Sequence, residues 1–302
     1  MVQEKQALAI DIGGSKILAG LVDETGQVLR KTGTALPKEF DAAWLIGKIC
    51  EITEDLKGAC CCGVTIPGLA DPEEGMWLYA PFSGIRNVPV ARILSQRLGL
   101  PVYVDNDVNV CAIAEKVYGS CRDTDNFLWI TVSNGVGGGL VLGGEIYRGK
   151  YNCAGEIGHF VVEEDSPWRC GCGAYGCLEA VASGASISAI YRAATGEDKC
   201  AKEVAACAKA GDATAAGIYE QAARYLGKAI AYCVNLLNLE KVVLGGGVSQ
   251  DFELLYPAMQ YAVSRYLFKT ANPNLKIEKT SLGYEAALIG CAAMARKESG
   301  IL

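Results

Sequence analysis

The sequence is poor in basic clusters, and this shortage excludes one class of partner. Its 302 residues include 28 Lys and Arg against 34 Asp and Glu, a formal net charge of −6. No run of basic residues is longer than two, as at Arg30-Lys31. A nucleic-acid binder usually presents a basic stripe to the phosphate backbone. We therefore expect no nucleic-acid partner.

The sequence also lacks the features of export and of membrane insertion. Its first residues, MVQEKQALAIDIGG, contain no basic start followed by a long apolar run and a small-residue cleavage site. No apolar stretch approaches the roughly 20 residues that span a bilayer. We expect no membrane partner and a cytoplasmic location, where most of the 14 cysteines would be reduced thiols.

Apolar runs and glycine turns divide the chain into two parts of similar plan. Residues 7–35 are predicted to form three strands joined by tight turns, and residues 127–148 repeat that pattern around a glycine loop. Alternating helices and strands follow each segment, which indicates α/β layers with ligands at the carboxyl ends of strands. We predict one domain of residues 1–117, completed by a helix over 287–302, and a second domain of residues 118–286.

Three glycine-rich segments are candidates for phosphate or nucleotide binding, because glycine lets a ligand approach the backbone closely. They are DIGGSK at 11–16, TVSNGVGGG at 131–139 and LGGGV at 244–248. Each could instead be an ordinary hairpin or strand-to-helix turn. The carboxylate of Asp11 could hold Mg²⁺. No GxxxxGK[ST] pattern occurs, which excludes a P-loop.

The segment VDNDVN at 104–109 places acidic and amide side chains where a strand meets a helix. Asp107 could accept the proton of an attacking hydroxyl, and Asn106 could hydrogen-bond a polyol. Helix capping is the alternative, since Asp and Asn are common caps. We interpret Asp105 as a cap or a structural residue.

The single histidine, His159 in GEIGH, precedes three closely spaced cysteines, Cys170, Cys172 and Cys177. One imidazole and three thiolates form a closed tetrahedral zinc site with no open position for water, so a zinc ion here would be structural. Reduced core cysteines beside an unrelated histidine, or an adventitious disulfide, are the alternatives.

The order of these motifs resembles the ROK family of bacterial glucokinases, fructokinases, N-acetylmannosamine kinases and related repressors. DIGGSK, Asn-Asp at a strand end, a glycine loop, GEIGH, CxCGxxGCxE and a late GGG follow in that order from Leu8 to about Met294. The resemblance implies an actin-like (ribonuclease H-like) two-domain ATPase fold. It also implies ATP and a sugar bound in an interdomain cleft, and a homodimer.

The resemblance implies roles for individual residues as well. Asp107 matches the catalytic base and Asp11 the Mg²⁺-associated carboxylate. The positions that match sugar contacts are Asn106, Glu156, His159 and Glu179, and His159 is also a zinc ligand. The positions that match phosphate and nucleotide contacts are Gly13, Gly14, Ser15, Lys16, Asn134, Gly135, Gly137, Gly138, Gly245 and Gly246.

Two departures from the family pattern bear on activity. Phe82 stands where glucokinases of this family usually place a sugar-binding Asn, so the favoured sugar can differ from glucose. Ser133-Asn134 replace the usual Gly-Thr of the phosphate loop. Asn134 keeps a side-chain donor, so we expect ATP binding to survive.

These observations predict an enzyme that transfers phosphate from ATP to a hydroxyl of a hexose or an amino sugar. A catalytically weak or silent sugar sensor of the same family is the alternative. The acidic charge and the cysteine spacing oppose a third hypothesis, a zinc-dependent nucleic-acid module. Because the first phosphate motif begins at Asp11, we expect no helix-turn-helix of the repressor branch.

Overall fold

A computed structural model describes residues 6–80 and 83–302, which fall into two compact units. The first unit comprises Met1–Asp123, Arg148–Cys153 and Leu282–Leu302, and the second comprises Thr124–Tyr147 and Ala154–Ser281. Phe82, the predicted determinant of sugar choice, lies outside the described residues. The domain boundaries drawn from the sequence stay a prediction.

Strands and helices alternate through most of the chain. The strands are β1 (Gln6–Ile12), β2 (Lys16–Val22), β3 (Val28–Ala35), β4 (Ala59–Ile66), β5 (Leu69–Asp71), β6 (Met76–Tyr79), β7 (Arg86–Val88), β8 (Val102–Asn106), β9 (Phe127–Val132), β10 (Val136–Leu142), β11 (Glu145–Ile146), β12 (Lys241–Gly245) and β13 (Lys276–Lys279). The helices are α1 (Ala42–Ile52), α2 (Val90–Leu98), α3 (Asp107–Val117), α4 (Leu178–Ala182), α5 (Gly184–Thr195), α6 (Ala201–Lys209), α7 (Ala213–Leu237), α8 (Phe252–Tyr266) and α9 (Ala286–Glu298).

The first unit is built on a five-stranded sheet in the order β3-β2-β1-β4-β8. Strands β1 to β3 are antiparallel, whereas β4 is parallel to both β1 and β8. Leu8 and Ile10 of β1 pack in one core with residues of α1 and α2. Because side chains alternate along a strand, Gly63 of β4 faces the other side, where α9 approaches. A Cβ on Gly63 would lie 2.0 Å from the carbonyl oxygen of Cys291.

The second unit repeats the plan with the order β11-β10-β9-β12-β13. Its first three strands are again antiparallel, and β12 is parallel to β9 and β13. Leu128 and Ile130 of β9 pack in a core with residues from α4 through α8. The repeated strand pattern predicted from the sequence is therefore confirmed, and strands β1 and β9 end at equivalent places in the two sheets.

Two predicted elements differ in extent from the structure. The apolar periodicity of residues 40–57 predicts a helix, but the structure has only α1 there, which begins where the Asp41 carboxylate accepts the Trp44 N–H at 2.8 Å. The second glycine segment is mostly strand, since β10 already begins at Val136 and includes all three glycines that follow. Among the described residues, no helix is both long enough and apolar enough to cross a bilayer. The cytoplasmic location stays a prediction.

Candidate functional site

The proposed base lies at the start of a helix in the first unit. β8 ends at Asn106, and α3 begins at Asp107, whose side chain is exposed. Oδ1 of Asn106 accepts the N–H of Asn109 at 2.7 Å, so Asn106 is the cap of α3. Its amide NH₂ remains the side-chain group that can donate a hydrogen bond to a hydroxyl.

Asp105 is structural, and the cap is its neighbour Asn106. The Asp105 carboxylate is 2% exposed and accepts four hydrogen bonds. Two come from the Asn106 N–H and from Nδ2 of Asn109, and two come from Nε and Nη2 of Arg148. The turn that carries Asp107 is thus fixed to a buried ion pair.

The first glycine turn joins β1 and β2 and follows Asp11. The Gly13 N–H donates to the Lys16 carbonyl at 2.9 Å, which closes the hairpin, and Ser15 is exposed. A Cβ on Gly14 would meet no atom within 4 Å, so this backbone is open to a ligand.

The Asp11 carboxylate is held in place by Thr65. Its Oδ1 accepts the Thr65 hydroxyl at 2.9 Å. Burial raises the pKa of Asp11, against the lowering effects of the Thr65 hydrogen bond and the Lys16 charge. The pKa of the Cys111 thiol is raised by burial and by the charges of Asp107 and Asp11.

The second glycine turn lies between β9 and β10 and is held by neighbouring elements. Ser133 and Asn134 are exposed, and the Gly184 N–H donates to the Ser133 carbonyl at 2.6 Å. Oε2 of Glu179 accepts the Val136 N–H at 3.1 Å. The turn is therefore joined to α4 and α5 of its own unit.

The GEIGH segment packs directly on β10. A Cβ on Gly155 would lie 2.1 Å from the Gly138 carbonyl oxygen, and one on Gly138 would lie 2.6 Å from the Gly155 carbonyl oxygen. A Cβ on Gly158 would lie 2.1 Å from the Val136 carbonyl oxygen. Gly138, predicted to contact phosphate, therefore has a packing reason to be glycine, and Gly137 lies beside it in the same strand.

The third glycine segment ends β12 with two crowded positions. A Cβ on Gly245 would lie 2.2 Å from the ring of Trp129. Gly246 has a φ of 90°, and a Cβ there would lie 2.5 Å from the Val132 carbonyl oxygen. A side chain at either position would therefore require the backbone or the indole to move.

The structure brings together the four side chains predicted to bind metal. One ligand atom from each of His159, Cys170, Cys172 and Cys177 lies within 4.8 Å of all the others. Nδ1 of His159 is 3.5 Å from Sγ of Cys170, and the sulfurs of Cys172 and Cys177 are 3.7 Å apart. Tetrahedral zinc with bonds of about 2.3 Å to sulfur and about 2.0 Å to nitrogen separates two sulfurs by about 3.8 Å and sulfur from nitrogen by about 3.5 Å. The donor set and spacing fit this ion.

Two acidic side chains adjoin this cluster, and both were predicted as sugar contacts. Oε2 of Glu156 is 3.7 Å from Nε2 of His159, the ring nitrogen that does not face Cys170. Oε1 of Glu179 is 4.0 Å from Sγ of Cys170. Glu179 thus lies between the cluster and the second glycine turn.

The thiols of the cluster differ in acidity. Burial raises the pKa of Cys177 to about 12 and also raises that of Cys170, whereas the backbone N–H of Ala174 lowers that of Cys172. Three thiolates this close together require a cation, and metal binding would release their protons.

Arg148 is a site residue that sequence reasoning missed. It belongs to no motif, and its partner Asp105 is 43 residues away in the chain. One chemical argument could have indicated that such a residue exists. An acid that is buried beside the predicted base requires a cationic partner. The sequence does not single out which of its 28 Lys and Arg residues fills that place.

Comparison with known proteins places these features in a family. A profile of the ROK family matches residues 7–298. The chain belongs to the ROK family. Glucokinase from Thermotoga maritima is 31% identical over 97% of this chain and 98% of that protein. The DNA-binding transcriptional dual regulator NagC of Escherichia coli is 29% identical over 98% of this chain and 77% of the regulator.

A solved structure confirms the predicted fold class. The ROK family glucokinase from Streptomyces griseus, in complex with glucose and AMPPNP, matches this ROK protein with a TM-score of 0.85. The two chains are 31% identical, and the match covers 97% of this chain and 99% of that one. The α/β fold is therefore of the actin-like sugar kinase class.

Proposed function

We propose that this ROK protein is an ATP-dependent sugar kinase that phosphorylates a hydroxyl of a hexose or an amino sugar. The observation that carries the proposal is the similarity to glucokinases along nearly the whole chain. The exposed carboxylate of Asp107, at the start of α3 and next to a residue whose N–H is bound by the buried Asp105, supports it. Glucose is the first candidate substrate.

Asp107 would act as the general base. Phosphoryl transfer depends on positioning and charge stabilisation more than on covalent chemistry. Asp107 would orient the acceptor hydroxyl and take its proton as the bond to phosphorus forms. The Asn106 amide NH₂ would donate to a second hydroxyl of the sugar. The buried carboxylate of Asp105 accepts the Asn106 N–H and Nδ2 of Asn109, and it would thereby hold the turn that carries both residues.

The glycine turns and Asp11 would hold MgATP. Bound Mg²⁺ neutralises charge on the phosphates. The Asp11 carboxylate, kept in place by Thr65, would orient that ion, and the open backbone at Gly14 would accommodate a phosphate. The exposed Asn134 would donate from its side chain at the second turn. Gly246, where a Cβ would clash with the Val132 carbonyl oxygen, would leave bare backbone beside the nucleotide.

Glu156, His159 and Glu179 would contact the sugar, and the cysteine cluster would support them. We propose that the cluster holds one structural zinc ion through His159 and the three cysteines. With Nδ1 on the metal, the other ring nitrogen of His159 is free to face a ligand beside Glu156. Bound zinc would then hold Glu156, His159 and Glu179 in fixed positions relative to the cysteine loop. The homodimer implied by the family stays a prediction.

Release of ADP from MgATP, measured across a panel of hexoses and N-acetylhexosamines, tests the proposal. We expect sugar-dependent release with at least one member, and the preferred sugar would show what Phe82 selects. No release with any sugar, in a folded protein with its metal bound, would overturn it. The protein would then be the second candidate, a silent sugar sensor. The similarity to NagC and the Ser133-Asn134 departure favour that candidate. Retained sugar binding without turnover would identify that case.

A further inference from the structure

An ion pair adjoins the proposed base, and none of the proposed contacts with the sugar or with MgATP involves it. Asp105 directly precedes Asn106 and Asp107, yet its side chain is only 2% exposed, so it is shielded from a substrate. Its partner Arg148 is 28% exposed and lies in the segment Arg148–Cys153, which belongs to the first unit. The pair can therefore act only through its neighbours.

The Asp105 carboxylate connects Arg148 to the first turn of α3. Its Oδ1 accepts the Asn106 N–H at 2.7 Å and Nδ2 of Asn109 at 3.0 Å. Its Oδ2 accepts Nε and Nη2 of Arg148 at 2.9 and 2.7 Å. A buried carboxylate that loses its cationic partner is strongly destabilised and reorients or recruits water. Because its two oxygens are part of one rigid group, a change at Oδ2 also moves the acceptor of the Asn106 N–H.

We propose that Arg148 is a positioning residue for phosphoryl transfer. By holding Asp105, it fixes the Asn106-Asp107 turn in the orientation that the acceptor hydroxyl requires. This inference rests on the proposed kinase function. Two neighbouring N–H groups of the planar Arg148 guanidinium donate to a single oxygen. The ammonium group of lysine has no such plane and cannot reproduce this geometry.

Kinetic constants of Arg148 variants test this role. A displacement near 1 Å can cost about 100-fold in rate, so we expect Arg148→Met to lower kcat by about that factor while KM for MgATP changes less than about threefold. Arg148→Lys keeps the charge without the fork, and we expect a loss of about tenfold. Lys150→Met is the matched control, since Lys150 lies in the same segment over the exposed ring of Tyr151. Its kcat should equal that of the wild type.

Two further readouts separate positioning from general stability. Guanidinium ion at low millimolar concentration should restore part of the kcat of Arg148→Ala, and ammonium ion should not. Asp105→Asn should lower kcat as Arg148→Met does, and the double variant should lose no more than either single variant, because both changes break one link. Additive losses would contradict the link between the two residues.

Amide hydrogen exchange tests the inference without relying on turnover. We expect faster exchange at residues 106–109 in Arg148→Met than in the wild type and in Lys150→Met. Unchanged exchange together with a kcat near the wild-type value, in a folded variant, would overturn the role of Arg148. If Arg148→Met does not fold, Arg148→Lys decides by the same two measurements. A wild type without turnover on any sugar, but with faster exchange in the variant, would overturn the kinase function alone.

Discussion

Replacing Gly135 by alanine tests whether Glu179 fixes the second glycine turn. A Cβ at this position would lie 2.4 Å from Oε2 of Glu179, closer than carbon and oxygen approach without a bond. The φ of Gly135 is outside the left-handed region, so alanine is not strained by the backbone. The clash falls on the mobile end of the Glu179 side chain, which would swing away and release the Val136 N–H that it accepts at 3.1 Å.

The size of the effect follows from that one hydrogen bond. A hydrogen bond to a charged group contributes about 1.5–3 kcal/mol, and we take about 1–2 kcal/mol because Glu179 is only partly buried. If the turn must be ordered to bind phosphate, this loss lowers the affinity for nucleotide by about 5–30-fold. The global free energy of unfolding should fall by no more than the same amount.

Isothermal titration with a non-hydrolysable ATP analogue measures this loss. Gly217→Ala is the control, since a Cβ on Gly217 of α7 would meet no atom within 4 Å. In a Glu179→Ala background the clash is absent, so Gly135→Ala should then have little further effect. Wild-type affinity in Gly135→Ala, or a full additional loss in the Glu179→Ala background, would refute the reasoning.

The remaining predictions concern the base, the metal and the core. Asp107→Asn should lower kcat by about 10²–10⁴-fold and leave sugar binding by calorimetry largely intact, and near-normal turnover would show that another group is the base. Cys172→Ser should lose the zinc that elemental analysis finds in the wild type, and an unchanged metal content would exclude the cluster as its site. Gly63→Ala places a Cβ 2.0 Å from the Cys291 carbonyl oxygen and should lower the free energy of unfolding in urea by about 1–3 kcal/mol, whereas a neutral result would show that α9 can move away.

The elements that local patterns determine were predictable from the sequence. Strands β1, β2 and β9 follow apolar runs that end in glycine turns, and the structure confirms them. Gly137 and Gly138 were predicted as part of a phosphate loop because the segment has more glycines than a hairpin needs and holds the equivalent place in the second repeat. They pair with β9 as strand, and position 138 is glycine because the GEIGH segment packs on β10 at a distance that excludes a Cβ there. That reason is a tertiary contact, which the local sequence does not contain.

In the candidate site, too, features that depend on local sequence were predictable and features that depend on tertiary contacts were not. The His159 and cysteine cluster was predictable because its ligand types and spacing are chemically specific, and the structure brings the four side chains together. Which of Asp105 and Asn106 caps α3 was not predictable, since either residue type can accept the N–H of the first helical turn. The choice depended on Arg148, a partner 43 residues away that draws Asp105 into a buried ion pair.

Transfer of the terminal phosphate of ATP to a sugar is the most direct test of the central claim. Mass spectrometry of the product, with wild type and Asp107→Asn side by side, measures it without a coupling enzyme. The proposed function predicts a sugar monophosphate from the wild type and at least about 100-fold less from the variant. A folded wild-type protein with its metal bound that forms no phosphorylated sugar would contradict the kinase assignment.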